Sequence, residues 1–234
     1  MPDTDYAQTL RDALIDLTQR FANPAPVEDT LTGITSAAVT LIDAVHSCDV
    51  LLIDESEDYR SVASTSALAE DLDRIQHTHR QGPCVDAAVD ETMVVADDLR
   101  EDPRWPQFSA EAVDAGVHSV LSFQLYTHQK RPTCRGALNL FSREPGAFDF
   151  EAQALGAMLA THAAIALISE DRQAQFHSAL ASRDAIGQAK GMIMERYDID
   201  AVRAFELLKK LSQDTNTRLV DVAAQIVASG PASR

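Results

Sequence analysis

The sequence predicts an α+β sheet domain followed by an all-α three-helix bundle, the two joined by a long coiled-coil-like helix. Three observations predict it. Between Asp29 and Phe141 the apolar spacing switches repeatedly between the helical and the strand period. From Phe148 the pattern stays helical until Tyr197-Asp198-Ile199-Asp200, with no proline before Pro231. The charge divides in the same place, with 27 acids against 11 bases in residues 1–169 and 9 against 9 in residues 170–234. A chain of 234 residues has the length for one large domain or two small ones, and 45% apolar with 24% charged residues is ordinary globular composition. The net charge of -16 argues against nucleic acid when taken whole, because phosphate binding rests on clustered Lys and Arg. Divided along the chain, the acidic excess belongs wholly to the first part, and the charge-balanced end is where a polyanion can be met.

Residues 1–26 are read as an N-terminal helix, with Leu10, Ala13, Leu14, Leu17 and Phe21 at helical spacing before Asn23-Pro24-Ala25-Pro26. Residues 27–168 form the sheet domain. Its first helix covers Glu28–Val45, with Leu31, Ile34, Ala38, Leu41 and Ile42 on one face. Cys48–Ile53 is a short apolar run of strand length, and Tyr59–Ser64 is its hairpin partner. Ser66–Arg80 returns to helical spacing, Gln81-Gly82-Pro83-Cys84 leads into a short helix at Val85–Val89, and Thr92–Ala96 reads as a strand. Phe108, Ala112 and Val113 mark another short helix, and Val117–Tyr126 and Arg135–Phe141 are two more strands. That order predicts one largely antiparallel sheet packed against helices.

The linker helix covers about 150–185 and feeds the bundle, residues 169–234. A helix this long exceeds the usual globular length of roughly 10–14 residues and needs a partner. Met158, Ile165, Phe176, Ala179, Ile186 and Ile193 can share a seam, which would also carry His162, Ser169, Arg172, Arg183 and Lys190. Parallel self-association into a homodimer competes here with packing on the helix's own chain. Two short helices follow: one capped by Asp200 with Ala204, Phe205, Leu208 and Leu211, the other capped by Thr215 or Asn216 with Leu219, Val222, Ala223 and Ile226.

Cys48, Cys84 and Cys134 are odd in number and contain no CxxC pair, so reduced thiols are expected rather than a disulfide framework or a zinc ribbon. No basic n-region with an apolar run opens the chain, and no apolar stretch of span length is expected, so a cytoplasmic protein without a membrane segment is predicted. His77 and His79 lie two apart on a helix and face different ways; no metal and no cofactor is expected.

The outside of the bundle is rich in donors: Arg183, Gln188, Lys190, Arg196, Arg203, Lys209, Lys210 and Arg218. The Ser212–Asn216 loop adds hydroxyls and amides beside a helix N-terminus, a natural anion site, and Tyr197 is a candidate for base stacking. The competing reading is the solvated face of an ordinary bundle.

The run Leu180-Ala-Ser-Arg-Asp-Ala-Ile-Gly-Gln-Ala-Lys-Gly-Met-Ile-Met-Glu-Arg, with Ala204-Phe-Glu-Leu-Leu-Lys-Lys-Leu-Ser-Gln-Asp-Thr-Asn-Thr-Arg-Leu-Val-Asp-Val-Ala, closely resembles the ANTAR family of RNA-binding antitermination domains. The resemblance implies a three-helix domain that acts as a dimer on paired hairpins of a leader transcript, prevents an overlapping terminator and lets RNA polymerase read through. On the matching positions, Arg183, Gln188, Ala189, Lys190, Gly191, Arg196, Ser212, Asn216 and Arg218 are the RNA-contact candidates. Ala189 and Gly191 would let a backbone come close, and Ser212 and Asn216 have helix capping as their alternative role. Met192, Ile193, Met194, Phe205, Leu208, Leu219 and Val222 are assigned to the core.

The N-terminal order of elements looks like a GAF domain, an open sheet of about six strands with helices on one side. Its signals are Gln81-Gly82-Pro83-Cys84 before a helix, Val94–Asp98, the strand pair after Gly116, and the closing helix at Phe150. Such domains often sense a small ligand or dimerise, and Cys84, His118, Phe123 and Tyr126 are the candidates to line a pocket for an unidentified small molecule. Two rival readings remain. One is an enzyme, since one GAF subfamily reduces free methionine sulfoxide through neighbouring low-pKa cysteines, which the scattered Cys48, Cys84 and Cys134 disfavour. The other is a DNA-binding helix-turn-helix regulator.

Overall fold

The computed structural model describes residue 15 and residues 26–230 apart from 55, 57, 90 and 126–133. The expected N-terminal helix, Ile15 excepted, and the tip between the last two strands therefore lie outside the described residues. The chain divides into two compact units, Met1–Glu170 and Asp171–Arg234.

In the first unit the elements run α1 (Val27–Leu41), β1 (Ser47–Asp54), β2 (Tyr59–Val62), α2 (Ala67–His79), α3 (Pro83–Val89), β3 (Met93–Ala96), α4 (Pro106–Asp114), β4 (Ser119–Leu125), β5 (Cys134–Ser142) and the start of α5 (Phe150–Tyr197). The five described strands form one sheet in the order β2-β1-β5-β4-β3, antiparallel throughout. Every residue of β1 up to Ile53 is buried, because helices cover both faces of the sheet and not one side alone. Pleating sends alternate residues to opposite faces. Val50, Leu52, Phe123 and Leu138 meet α1 and the first turns of α5 through Leu31, Ile34, Leu159 and Ala163. Leu51, Ile53, Val120, Ala137 and Phe141 meet α2, α3 and α4 through Leu72, Ala87, Ala88 and Phe108.

Local chemistry sets the boundaries. Ser66 caps α2 by accepting from the Ala69 amide, and the helix ends at Arg80 in the left-handed region, φ 51°. Gly82 sits at φ 143°, and a Cβ there would stand 2.1 Å from Gln76 Oε1, so only glycine lets the Gln76 amide pass beneath the start of α3. Gly156 on α5 faces the Phe123 ring, where a Cβ would come within 2.5 Å, so glycine also sets how closely α5 approaches the sheet.

α5 is one unbroken helix that runs past the 150–185 linker to Tyr197, where the sequence pattern breaks. It contains an 18-residue window of mean hydropathy 1.5, the length and composition of a membrane span, contrary to the expectation that no such stretch exists. Ala152, Leu159, Ala160 and Ala163 in its first turns are nonetheless buried against the sheet.

In the second unit the end of α5 joins α6 (Ala201–Asp214) and α7 (Leu219–Ala228) around Ala189, Ile193, Ala204, Leu208, Val222 and Ala223. Asp200 caps α6 as expected, its Oδ1 accepting from the amides of Val202 and Arg203 at 2.9 Å each. The cap expected for α7 is different: the helix begins after Arg218 with no side-chain cap, Thr215 terminates α6, and Asn216 takes a left-handed turn at φ 49°.

Candidate nucleic-acid interface and sensor core

The nine RNA-contact candidates on the bundle do not form one surface. Ala189 is fully buried in the three-helix core, so its smallness serves helix packing and no ligand can reach it. Arg183 and Lys190 lie seven residues apart, two turns up one face of α5, with Gly187 between them. A Cβ at Gly187 or Gly191 would meet nothing within 4 Å, so no neighbour in the chain packs on either glycine and the helix backbone is open there. Gln188 is exposed on another face. Arg196 points to the opposite flank, where its guanidinium donates to the Gly230 carbonyl at 3.3 Å.

The turn between α6 and α7 carries the rest. Ser212 Oγ donates to the Thr217 carbonyl at 2.6 Å, which makes it a fastener of the turn. Asn216 is exposed in its left-handed turn, and exposed Arg218 pairs with Asp221 at 2.8 Å. Of the residues assigned to the core, Ile193, Leu208 and Val222 are buried, Met192, Met194 and Leu219 are partly so, and Phe205 is exposed at 42%. A surface feature that sequence reasoning missed is an apolar groove of about 580 Å³ whose lining includes Met192, Tyr197, Leu207, Leu211 and Ile226 together with Arg196, Lys210 and Asp214.

In the first unit the four pocket candidates are not brought together. Cys84 is buried on the α2–α3–α4 face of the sheet, whereas Phe123 lies on the other face against α5. His118 begins the approach to β4, its carbonyl accepting from the Leu99 amide, and its buried Nδ1 finds no partner. Tyr126 lies outside the described residues.

What does gather around Cys84 is a buried polar cluster. The Gln76 amide donates to Cys84 Sγ at 2.8 Å while its Oε1 accepts from the Cys84 backbone N–H at 2.9 Å. Gln76 also reaches Asp73, which accepts from Ser61 Oγ at 2.5 Å and touches Asp49. Asp49 stands opposite Asn139 in the β1–β5 register and accepts from its amide at 2.8 Å; Asp49 Oδ2 and Asn139 Oδ1 are left without partners. Loss of water raises both carboxyls, and the charge of Asp73 raises Asp49 further; Asp73 is pushed up to about 7. The same burial pushes the Cys48 and Cys84 thiols up, and the two lie on opposite faces of the sheet, the reverse of what thiolate catalysis needs. A signal for this cluster was present in the sequence: Asp49 is the one charged residue in an otherwise strand-like apolar run.

The GAF domain family matches residues 24–168, more than half of the chain, and the ANTAR domain family matches residues 174–227. No curated protein matches. Among solved structures, the GAF domain of a phosphoenolpyruvate-protein phosphotransferase from Coxiella burnetii superposes with a TM-score of 0.55 at 16% identity, over 72% of this chain and 98% of that one. The LuxR-family, N-acylhomoserine lactone-dependent factor CepR2 from Burkholderia cenocepacia gives 0.52 at 19%, over 70% and 96%. The free methionine-R-sulfoxide reductase of Neisseria meningitidis gives 0.50 at 16%, over 73% and 93%. At these identities the likeness is one of fold.

Proposed function

The chain belongs to the GAF domain family and carries an ANTAR domain behind its GAF domain, and from that premise we propose that it is a cytoplasmic, non-enzymatic RNA-binding antitermination regulator. In this reading a homodimer holds paired hairpins of a leader transcript, and a small molecule met by the GAF domain controls the engagement. The observation that carries it is the division of charge. Met1–Glu170 holds 28 acids against 11 Lys and Arg, whereas Asp171–Arg234 holds 8 against 9, with Arg183 and Lys190 on one face beside open helix backbone. The acidic unit repels a polyanion and leaves the bundle as the place to meet it.

Two linked bundles raise affinity by effective concentration only when hairpin spacing lets both engage, which gives a sensor something to control. The exposed apolar residues of α5, Ile165 at 51% and Phe176 at 62%, support its use as a dimer seam. The test is a shift assay of the full chain against a two-hairpin leader RNA, a single hairpin and duplex DNA. The proposal expects preference for the paired hairpins, and Lys190→Gln and Arg183→Gln each lowering the salt slope by about 1. Preference for duplex DNA would instead support the helix-turn-helix regulator.

A further inference from the structure

We propose that the apolar groove lined by α5, α6 and α7 receives unstacked bases of the RNA, so that the bundle grips its ligand through two surfaces of different chemistry. The inference rests on the RNA reading above and names the site within it that reads bases. Arg183, Lys190 and the open backbone at Gly187 and Gly191 offer charge and close approach but no apolar platform, which suits phosphates.

The groove is the complement of that face. Its apolar lining includes Met192, Leu207 and Leu211, the two leucines being 46% and 44% exposed, although a soluble bundle ordinarily buries leucines of this kind. Tyr197 stands beside it, 61% exposed, as a ring on which a base can stack. Lys210 lines it as a cation able to meet the phosphates of a strand whose bases turn inward, and Arg196, which donates to the Gly230 carbonyl, adds a second positive charge. This combination of aromatic, apolar and cationic lining is what single-stranded nucleic acid requires. Charge complementarity therefore selects a polyanion with planar apolar faces as the occupant.

Asp214 sharpens the specificity. A carboxylate in the groove is an acceptor only, so it favours a base presenting an exocyclic amine and disfavours uracil, whose single Watson–Crick N–H is flanked by two carbonyl oxygens. Bases with an exocyclic amine should be preferred to uracil at the position that enters.

The experiment uses the full chain and a pool of two-hairpin RNAs with fixed stems and randomised loops. The wild type should enrich loops with an amino-bearing base at one recurrent position. For an enriched RNA, Tyr197→Ala and Leu211→Ser should each weaken binding by roughly 5- to 150-fold, with the salt slope unchanged because no phosphate contact is lost. Tyr197→Phe should bind as the wild type does, and an abasic nucleotide at the recurrent position should abolish the difference between wild type and Tyr197→Ala. Affinities unchanged in Tyr197→Ala and Leu211→Ser would overturn the groove while leaving RNA binding in place. Loss of affinity that tracks conversion of a dimer to a monomer in sedimentation would show the groove to be a protein contact, and would also overturn it. A wild type that retains no RNA from the pool would overturn the RNA reading and the groove together.

Discussion

Asp49 and Asp73 make the stability of the first unit depend on pH in the direction opposite to that of ordinary surface carboxylates. Both are buried at the sheet–α2 interface, in contact with each other and with no cation among their described partners. The unfolded carboxyls titrate near 3.8, and Asp73 in the folded unit is held up to about 7. A raised carboxyl pKa means that the folded state keeps a proton the unfolded state has released. Stability is then greatest below the unfolded pKa and falls as pH rises toward the folded one. Three pH units at 1.36 kcal/mol each amount to a loss of about 4 kcal/mol between roughly pH 4 and pH 7, and Asp49 acts in the same direction. Against a typical domain stability of 5–15 kcal/mol that is a large share. Asp98, held down to about 2 by the Arg100 guanidinium, acts only below pH 4 and leaves this window clear.

Trp105 supplies the assay. It is the single tryptophan of the chain, it is buried in the first unit, and its indole N–H donates to Asp86 at 2.8 Å. Denaturant unfolding followed by its fluorescence at pH 5, 6, 7 and 8 therefore reports on that unit alone. The midpoint should fall steadily with pH in the wild type, and the slope should be much reduced in Asp73→Asn, whose amide is neutral at every pH and can donate to Asp49. A flat or rising midpoint in the wild type, or an undiminished slope in Asp73→Asn, would refute the reasoning from buried, raised carboxyls.

Two glycines of α5 should respond to alanine with opposite signs. Gly156→Ala drives a Cβ against the Phe123 ring and should cost about 1–3 kcal/mol by Trp105 unfolding, while Gly187→Ala, facing open space, should stabilise the bundle by up to about 1 kcal/mol by thermal denaturation followed by circular dichroism. Asp200→Ala removes the acceptor for two amides at the start of α6 and should destabilise the bundle by about 1 kcal/mol in the same measurement, without moving the Trp105 transition. Phe176→Asp should shift the full chain toward monomer in sedimentation at micromolar concentration without changing the Trp105 transition, because the ring is exposed within its own chain.

The helical and strand periods were legible because most elements bury one stripe or one run, and the order of elements follows from where the period changes. The distribution of the strands between two cores was not. Val50-Leu51-Leu52-Ile53 is apolar at every position because helices cover both faces of the sheet, and a continuous run carries no alternation to say which residue faces which layer. Cys84 and Phe123 therefore looked equally fit for one pocket although the sheet separates them. Asp73 escaped notice for the related reason that a carboxylate on an amphipathic helix reads as solvent-facing, and only the neighbouring strands show that its face is covered. On the bundle, resemblance identified the motif but not its orientation. Ala189 and Lys190 are adjacent in the motif, yet the helical turn sends the first into the core and leaves the second half-exposed.

The same distinction changes the seam of α5. Ile186 and Ile193 take part in the bundle core, so a heptad drawn through them counts residues already spent inside the chain. Those left are Met158, Ile165, Phe176 and Ala179, of which the three large side chains are spaced by seven and then eleven. Seven alone would require left-handed supercoiling and eleven alone right-handed, but the two together span 18 residues, which is five turns at 3.6 residues per turn. The three side chains thus return to one line on an undistorted helix, and α5 is continuous through all of them. In the proposed dimer a seam built this way would need no supercoil, and partner helices would run side by side over this stretch with knobs at residues 158, 165 and 176. The polar residues that the longer heptad would have buried, Arg183 and Lys190 above all, would lie outside that seam, as the proposed phosphate contacts require.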